Sequence, residues 1–182
     1  MHEKAKLAEA GYFHSHMINE LDNSEHFTYE LSAFITPARS VLQYALEEAK
    51  SQAKGRQWYD EHIAKSAILS FFRDKRDFNI HTEPVKPAKD VTIFAPPMTI
   101  YLSALAPVIH TDASGDVIGE RESSPEIEKH EFKALDRPGT TTIKYRFTDW
   151  QGDEDVITLC QMYLGELERL VEEGMKMGFL TG

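Results

Sequence analysis

Apolar residues recur along this chain with two periods: three to four residues toward both ends, and two residues in the middle. Between Glu3 and Leu21 the residues Leu7, Ala10, His14, Met17, Ile18 and Leu21 follow helical spacing, and Asp22, Asn23 and Ser24 form a polar break suited to capping the next helix. The strongest stripe follows. Phe27, Leu31, Phe34, Ile35, Ala38, Val41, Leu42, Ala45, Leu46 and Ala49 predict one amphipathic helix from about Glu25 to Ala53. Pro37 lies inside it without an amide hydrogen, which predicts a kink and a freed Ala33 carbonyl. Gly55 ends the run, RQWYDEHIAK reads as a short third helix, and SAILSFFRDKRDFNIH reads as a fourth. The fourth stops ahead of Pro84, because the residue before a proline is steered away from helical angles.

From TEPVKPAK onward the period shortens. Val91 and Ile93, then Ile100 and Leu102, alternate with Thr92, Thr99 and Tyr101 as in strands, and the APP between them permits only an edge or a bulge. DASGD and DRPGT are turn sequences, the first between APVIH and DVIGE, the second between HEFKAL and TTIKYRF. Ile143, Tyr145 and Phe147 face one way and Lys144 and Arg146 the other, so one side of the last strand is expected against helices. QGDEDV then starts an Asp-capped helix whose stripe runs through Val156, Leu159, Cys160, Tyr163, Leu164, Leu167, Leu170 and Val171 toward Gly178.

The fold expected is mainly α, an up-and-down helical bundle with a small antiparallel β-meander inserted before the C-terminal helix. Residues 1–182 form a single domain in this reading, with the bundle over 3–84 and 153–178 and the meander over 90–148. The last helix, Asp155 to Met177, should return to the second, bringing Leu164 or Leu167 onto the stripe from Phe34 to Leu42.

The 182 residues suffice for one domain with a substantial core, and the apolar fraction of 41% with 27% charged residues is that of a globular chain. The first residues, MHEKAKLAEAGYF, offer neither a secretory apolar region nor a membrane span, so the expected location is the cytoplasm and no membrane partner is expected. The single cysteine, Cys160, lies in an apolar helical pattern and is expected as a buried reduced thiol. A formal charge of −10 counts against broad nucleic-acid binding, which draws on clustered Lys and Arg. RNA could be handled only by a local positive cleft or with a second protein.

Chemistry concentrates in RDKRDFNIHTEP, residues 73–84. Ile68, Leu69, Phe71, Phe72, Phe78 and Ile80 define the apolar arc of the fourth helix, and Arg76 and Asn79 fall within that arc. One explanation is structural: Arg76 lays its stem over a neighbouring helix and pairs with Asp77 or Asp74. The other is an acid–base apparatus. His81 lies about 140° round an ideal helix from Arg76, so the two meet only if the helix ends or unwinds near His81, or if a second subunit supplies its own copy.

RDFNIH resembles the Arg-x4-6-His signature of HEPN domains, the "higher eukaryotes and prokaryotes nucleotide-binding" helical class, with the polar Asp77 where that signature carries a polar residue. FTYELSAFITPARSVLQYALEEA and WYDEHIAKSAILSFFRDKRDFNIH are similar to the second to fourth helices of bacterial proteins with this signature. The resemblance covers about residues 3–84 and, more loosely, the last helix; the meander lies outside it. It implies a homodimer whose two signatures face one cleft. Competent members are metal-independent endoribonucleases, and others are inactive and serve in binding or toxin–antitoxin pairs with a cognate protein partner. Carried over, Arg76, His81 and Asp77 are the catalytic set and Arg73 and Asn79 contact RNA, with no cofactor and no metal. The chemistry suits the residues: histidine titrates near neutrality, arginine stabilises a developing phosphorane, and Asp77 could fix the His81 tautomer.

Other candidates are weaker. His14 and His16 point to different sides of a helix, with His14 on the apolar face as a satisfied core or interface histidine; His16 with Glu20 reads as a surface pair. Glu-x-x-His, paired cysteines, phosphate-loop glycines and a nucleophile elbow are absent from the sequence. His110 and His130 fall near strands without a nameable partner, and Trp58 with Tyr59 reads as packing between helices.

Overall fold

The computed structural model describes residues 2–81, 85–94, 108–111, 114, 117–121 and 140–181; of residues 76–81, 108–111 and 117–121 it describes the backbone alone. The element order is α1 (His2–Asn19), α2 (Ser24–Ala49), α3 (Gly55–Lys65), α4 (Ala67–His81), β1 (Ala88–Phe94), β2 (Val108–Thr111), β3 (Val117–Arg121), β4 (Thr140–Arg146) and α5 (Val156–Lys176). The chain divides into two compact units, residues 1–92 with 142–182, and residues 93–141.

The first unit is the helical bundle, and its helices begin and end for identifiable reasons. Asn23 caps α2 by accepting from the amides of Glu25 and His26 at 3.1 and 3.2 Å. Asp155 caps α5 by accepting from Thr158 at 2.9 Å. Ser66 closes α3 with its amide on Ile63 O at 3.2 Å and opens α4 by accepting from the Leu69 amide at 3.3 Å. Helix α2 ends at Ala49, ahead of the expected Ala53. Gly55 is the first residue of α3 rather than the stop of α2. The glycine is needed for close approach: a Cβ there would stand 2.1 Å from the Ala49 carbonyl oxygen, and Lys54 before it takes the left-handed conformation at φ 66°. Helix α2 remains helical through the buried Pro37. Beside it the hydroxyls of Thr36 and Ser40 bond back onto the carbonyls of Ser32 and Thr36.

The stripe on α2 is fully buried at Phe27, Leu31, Phe34, Ile35, Ala38, Val41, Leu42 and Ala45. Helix α5 buries Leu159, Cys160, Tyr163, Leu167 and Leu170 in return and packs on α1, α2 and α4. The return of α5 to α2 is marked by Phe34 and Tyr163, edge to face with centroids 6.3 Å apart. Helix α1 keeps only a narrow buried face of Glu3, Ala10, His14 and Met17, and Ile18 is exposed. His14 is the satisfied core histidine its position suggested: its Nε2 is 3.1 Å from Ile157 O on α5. Glu20 bonds His26 rather than His16. Cys160 is a buried free thiol whose pKa burial pushes up.

The insertion departs from a simple meander. Among the described residues, β1 pairs with β4 and β2 pairs with β3. The β2–β3 hairpin is antiparallel, from Val108 opposite Arg121 to Thr111 opposite Val117, with a bulge between His110 and Thr111. Its two strands flank DASGD as the sequence expects. Pairing β1 with β4 joins the two ends of the insertion, which both have anchors in the bundle. Lys89 on β1 donates to the Asp22 carbonyl at 3.1 Å. The Tyr145 hydroxyl on β4 donates to Leu21 O and is hydrogen-bonded with the Ser24 hydroxyl, both at 3.0 Å, and its ring stacks on Phe27 at 3.8 Å. As the alternation required, Tyr145 and Phe147 are buried while Lys144 is exposed. The expected strands at Ile100–Leu102 and HEFKAL lie outside the described residues, as does His130.

Candidate functional site

Helix α4 carries every residue proposed for chemistry. Its inner face buries Ile68, Leu69 and Phe72, with Phe72 stacked flat on Tyr163 of α5 at 4.4 Å between centroids. The helix is continuous to His81. At about 100° per residue, the positions of Asn79 and Arg76 fall within about 20° and 40° of Phe72, on the continuation of the buried face. His81 falls on the opposite side. Helix α4 ends at His81, and the backbone is helical through both positions. The side chains of Arg76, Asp77, Asn79 and His81 lie outside the described residues, and so does Pro84.

Arg73, Asp74 and Lys75 are described. Arg73 donates from Nε to Asp74 at 3.1 Å, with 43% of its side chain exposed. Lys75 is 2.7 Å from Asp149 and stands over the rings of Phe71 and Phe147 at 5.2 and 4.9 Å. Both cations nearest the signature therefore have carboxylate partners, and Asp74 is taken up by Arg73.

A second polar group lies on α2, α3 and α5. Arg39 of α2 is partly exposed, yet its Nε and Nη1 are buried without a hydrogen-bond partner. The Tyr163 hydroxyl of α5 is likewise buried and unpartnered. Tyr59 of α3 is nearly buried. Burial raises its hydroxyl pKa, and the charges of Arg39 and Arg73, together with a hydrogen bond from Arg39, oppose that rise. Burial pushes the Tyr163 hydroxyl up more strongly, again opposed by Arg39, with Tyr59 adding to the rise. Tyr59 thus feels Arg39 and Arg73, and Tyr163 feels Arg39 and Tyr59. A signal for Arg39 does exist in the sequence: it falls at the edge of the α2 stripe, about 40° from Ile35, the same anomaly that singles out Arg76.

An open groove of about 630 Å³ lies elsewhere on the bundle, lined by residues that include His62, Lys65, Trp150, Arg169 and Glu173. Two pairs lie within it: His62 Nδ1 is 3.4 Å from Glu173, and Arg169 is 2.7 Å from Glu166. Trp58 and Tyr59 pack as expected, Trp58 against Phe179 at 5.2 Å. Among the described residues no three His, Cys, Asp or Glu side chains gather as a metal site, and no helix is long and apolar enough to cross a membrane. Compared with known proteins, the chain matches no family model, no curated protein and no solved structure.

Proposed function

We propose that the protein is a HEPN-like homodimeric interaction module of the non-catalytic kind, in which the last turns of α4 meet a second copy and the dimer binds a cognate protein. The observation that carries this reading is the unbroken α4. It separates the Arg76 and His81 positions by about 140° round the helix, which favours a reading without an acid–base pair inside one chain. The pairing of Arg73 with Asp74 and of Lys75 with Asp149 supports it further, because those cations enter any RNA contact already neutralised. The chain's charge of −10 acts in the same direction.

The residue set Arg76, Asp77 and His81 favours a second reading, a metal-independent endoribonuclease assembled across the dimer. There one subunit's His81 would take the proton of an RNA 2′-hydroxyl as it attacks the adjacent phosphate. Arg76 would hold the phosphorane charge, and a symmetry-related His81 would protonate the leaving 5′-oxygen.

Purified protein is incubated with single-stranded RNA in EDTA, and its mass is followed by light scattering across micromolar concentrations. The interaction-module reading expects a dimer and intact RNA. Cleavage to cyclic phosphate ends, abolished in both Arg76→Ala and His81→Ala with folding retained, would replace it with the enzyme. A monomer at every concentration removes the two-copy basis of both readings.

A further inference from the structure

We infer that the groove bounded by α3, α4, α5 and Trp150 binds a small carboxylic acid with an apolar body, the carboxylate on Lys65 and the body against Trp150 and Ile68. The inference is independent of the α4 signature and of dimerisation.

The groove is open to solvent and holds about 630 Å³, a size within the range of about 300–1,000 Å³ typical of small-molecule sites. Its walls carry charge of both signs, and most of that charge is engaged. Arg169 of α5 reaches Glu166 at 2.7 Å, and His62 of α3 reaches Glu173 at 3.4 Å. Lys65, the last residue of α3, is the exception: it lines the groove, is exposed, and has no carboxylate partner among the described residues. Elsewhere on the bundle Lys6, Lys50 and Lys75 each hold a carboxylate. The groove thus has one cation to spare. Its apolar side is fixed in place. Ile68 is buried at the start of α4, and Trp150 packs edge to face on Phe71 with centroids 5.0 Å apart. The indole Nε1 donates to Glu154 at 2.7 Å, so the part of Trp150 left for a ligand is apolar ring.

The class of ligand follows from this balance. A cation would meet Lys65 and Arg169, and a neutral apolar molecule would leave the Lys65 ammonium without a counter-charge. Lys65, Arg169, Glu166 and Glu173 together carry no net charge, so a dianion such as a phosphate monoester would bring two charges to a site with one cation free. A monocarboxylate brings one, and its oxygens accept directly from the ammonium. A second role for Lys65 is structural, since a cation in the last turn of a helix complements the helix dipole. That role predicts an effect on stability but no preference among ligands.

The test uses the full chain carrying Trp58→Phe, which leaves Trp150 as the reporter because the chain has two tryptophans. Phenylacetate is titrated at constant ionic strength, with phenylacetamide as its neutral match and phenyl phosphate as the dianion, and isothermal calorimetry repeats each titration on wild type. Phenylacetate should shift the Trp150 emission saturably with a dissociation constant of about 1 mM, as expected for so small a probe, and the other two should bind about tenfold more weakly. Lys65→Gln should lose about tenfold in phenylacetate affinity, as removal of a charged hydrogen bond requires, and Lys65→Arg should restore it. Ala67→Asp supplies an independent check. Ala67 is exposed in the groove and is the first residue of α4, where an acid favours the helix, so this variant should keep its unfolding temperature and lose phenylacetate binding. No saturable phenylacetate binding by roughly 10 mM overturns the proposal. So does equal binding of phenylacetamide, tighter binding of phenyl phosphate, or full affinity for phenylacetate in either Lys65→Gln or Ala67→Asp.

Discussion

Tyr145 and Tyr163 occupy matching environments with opposite outcomes at the hydroxyl. Each ring is buried and lies flat on a phenylalanine of the bundle, Tyr145 on Phe27 at 12° between planes and Tyr163 on Phe72 at 5°. The Tyr145 hydroxyl finds two partners, Leu21 O and the Ser24 hydroxyl at the start of α2, and ties β4 to the bundle. The Tyr163 hydroxyl reaches none and shares its surroundings with Arg39. The rings contribute packing of the same kind, so the difference lies in what the polar tip is for. One closes the structure, and the other is left without a partner.

The harshest way to probe this pair is Tyr163→Ala. It empties the centre of the stack between α4 and α5 and should cost about 3–5 kcal/mol, read as a lower urea midpoint. A loss under about 1 kcal/mol would mean that the ring does not carry the α4–α5 contact.

Tyr145→Phe should follow at about 1–2 kcal/mol, since it keeps the ring and strands the Leu21 carbonyl. Equal stability of the mutant in chemical denaturation would show that the hydroxyl bonds are not what anchors β4.

An alkaline titration separates the hydroxyls further. The Tyr163 pKa is raised in the folded state by burial, above its ordinary value near 10. The folded protein therefore holds that proton after the unfolded chain has released it. This contribution is fully present below the unfolded value and is lost as pH rises through the folded one. Wild type should lose stability above about pH 10, and Tyr163→Phe should lose less over the same range. Parallel curves for the two proteins would contradict the assigned environment.

At neutral pH Tyr163→Phe should be the mildest change, neutral or up to about 1 kcal/mol more stable, because it removes an unpaired buried hydroxyl. A clear destabilisation by calorimetry would reveal a partner for that hydroxyl and erase the contrast with Tyr145.

The stripes of α2 and α5 could be read in full because burial follows the 3.6-residue period directly, and Asn23 and Asp155 announce their helices by side-chain chemistry that acts within three residues. Lys144 and Tyr145 sort correctly by alternation alone. Gly55 was misassigned because its role is a close approach to Ala49 across a turn, which composition does not encode. The β1–β4 pairing was not visible either. Residue alternation marks a strand, whereas the choice of neighbour depends on where both ends of the insertion attach.

By itself, then, the sequence determined the helices, the caps, the β2–β3 hairpin and the return of α5, all consequences of local periodicity and of apolar surface that must be covered. It also placed Arg76 and Asn79 on an arc that reads as core. Only the tertiary structure decided that β1 closes on β4, and that Arg39 and the Tyr163 hydroxyl are left buried without a hydrogen-bond partner at Nε, Nη1 and Oη. The physical reason is that a donor's fate depends on which acceptors the packed neighbours bring within about 3 Å of it, and residues as distant as 39 and 163 acquire neighbours only when the bundle closes.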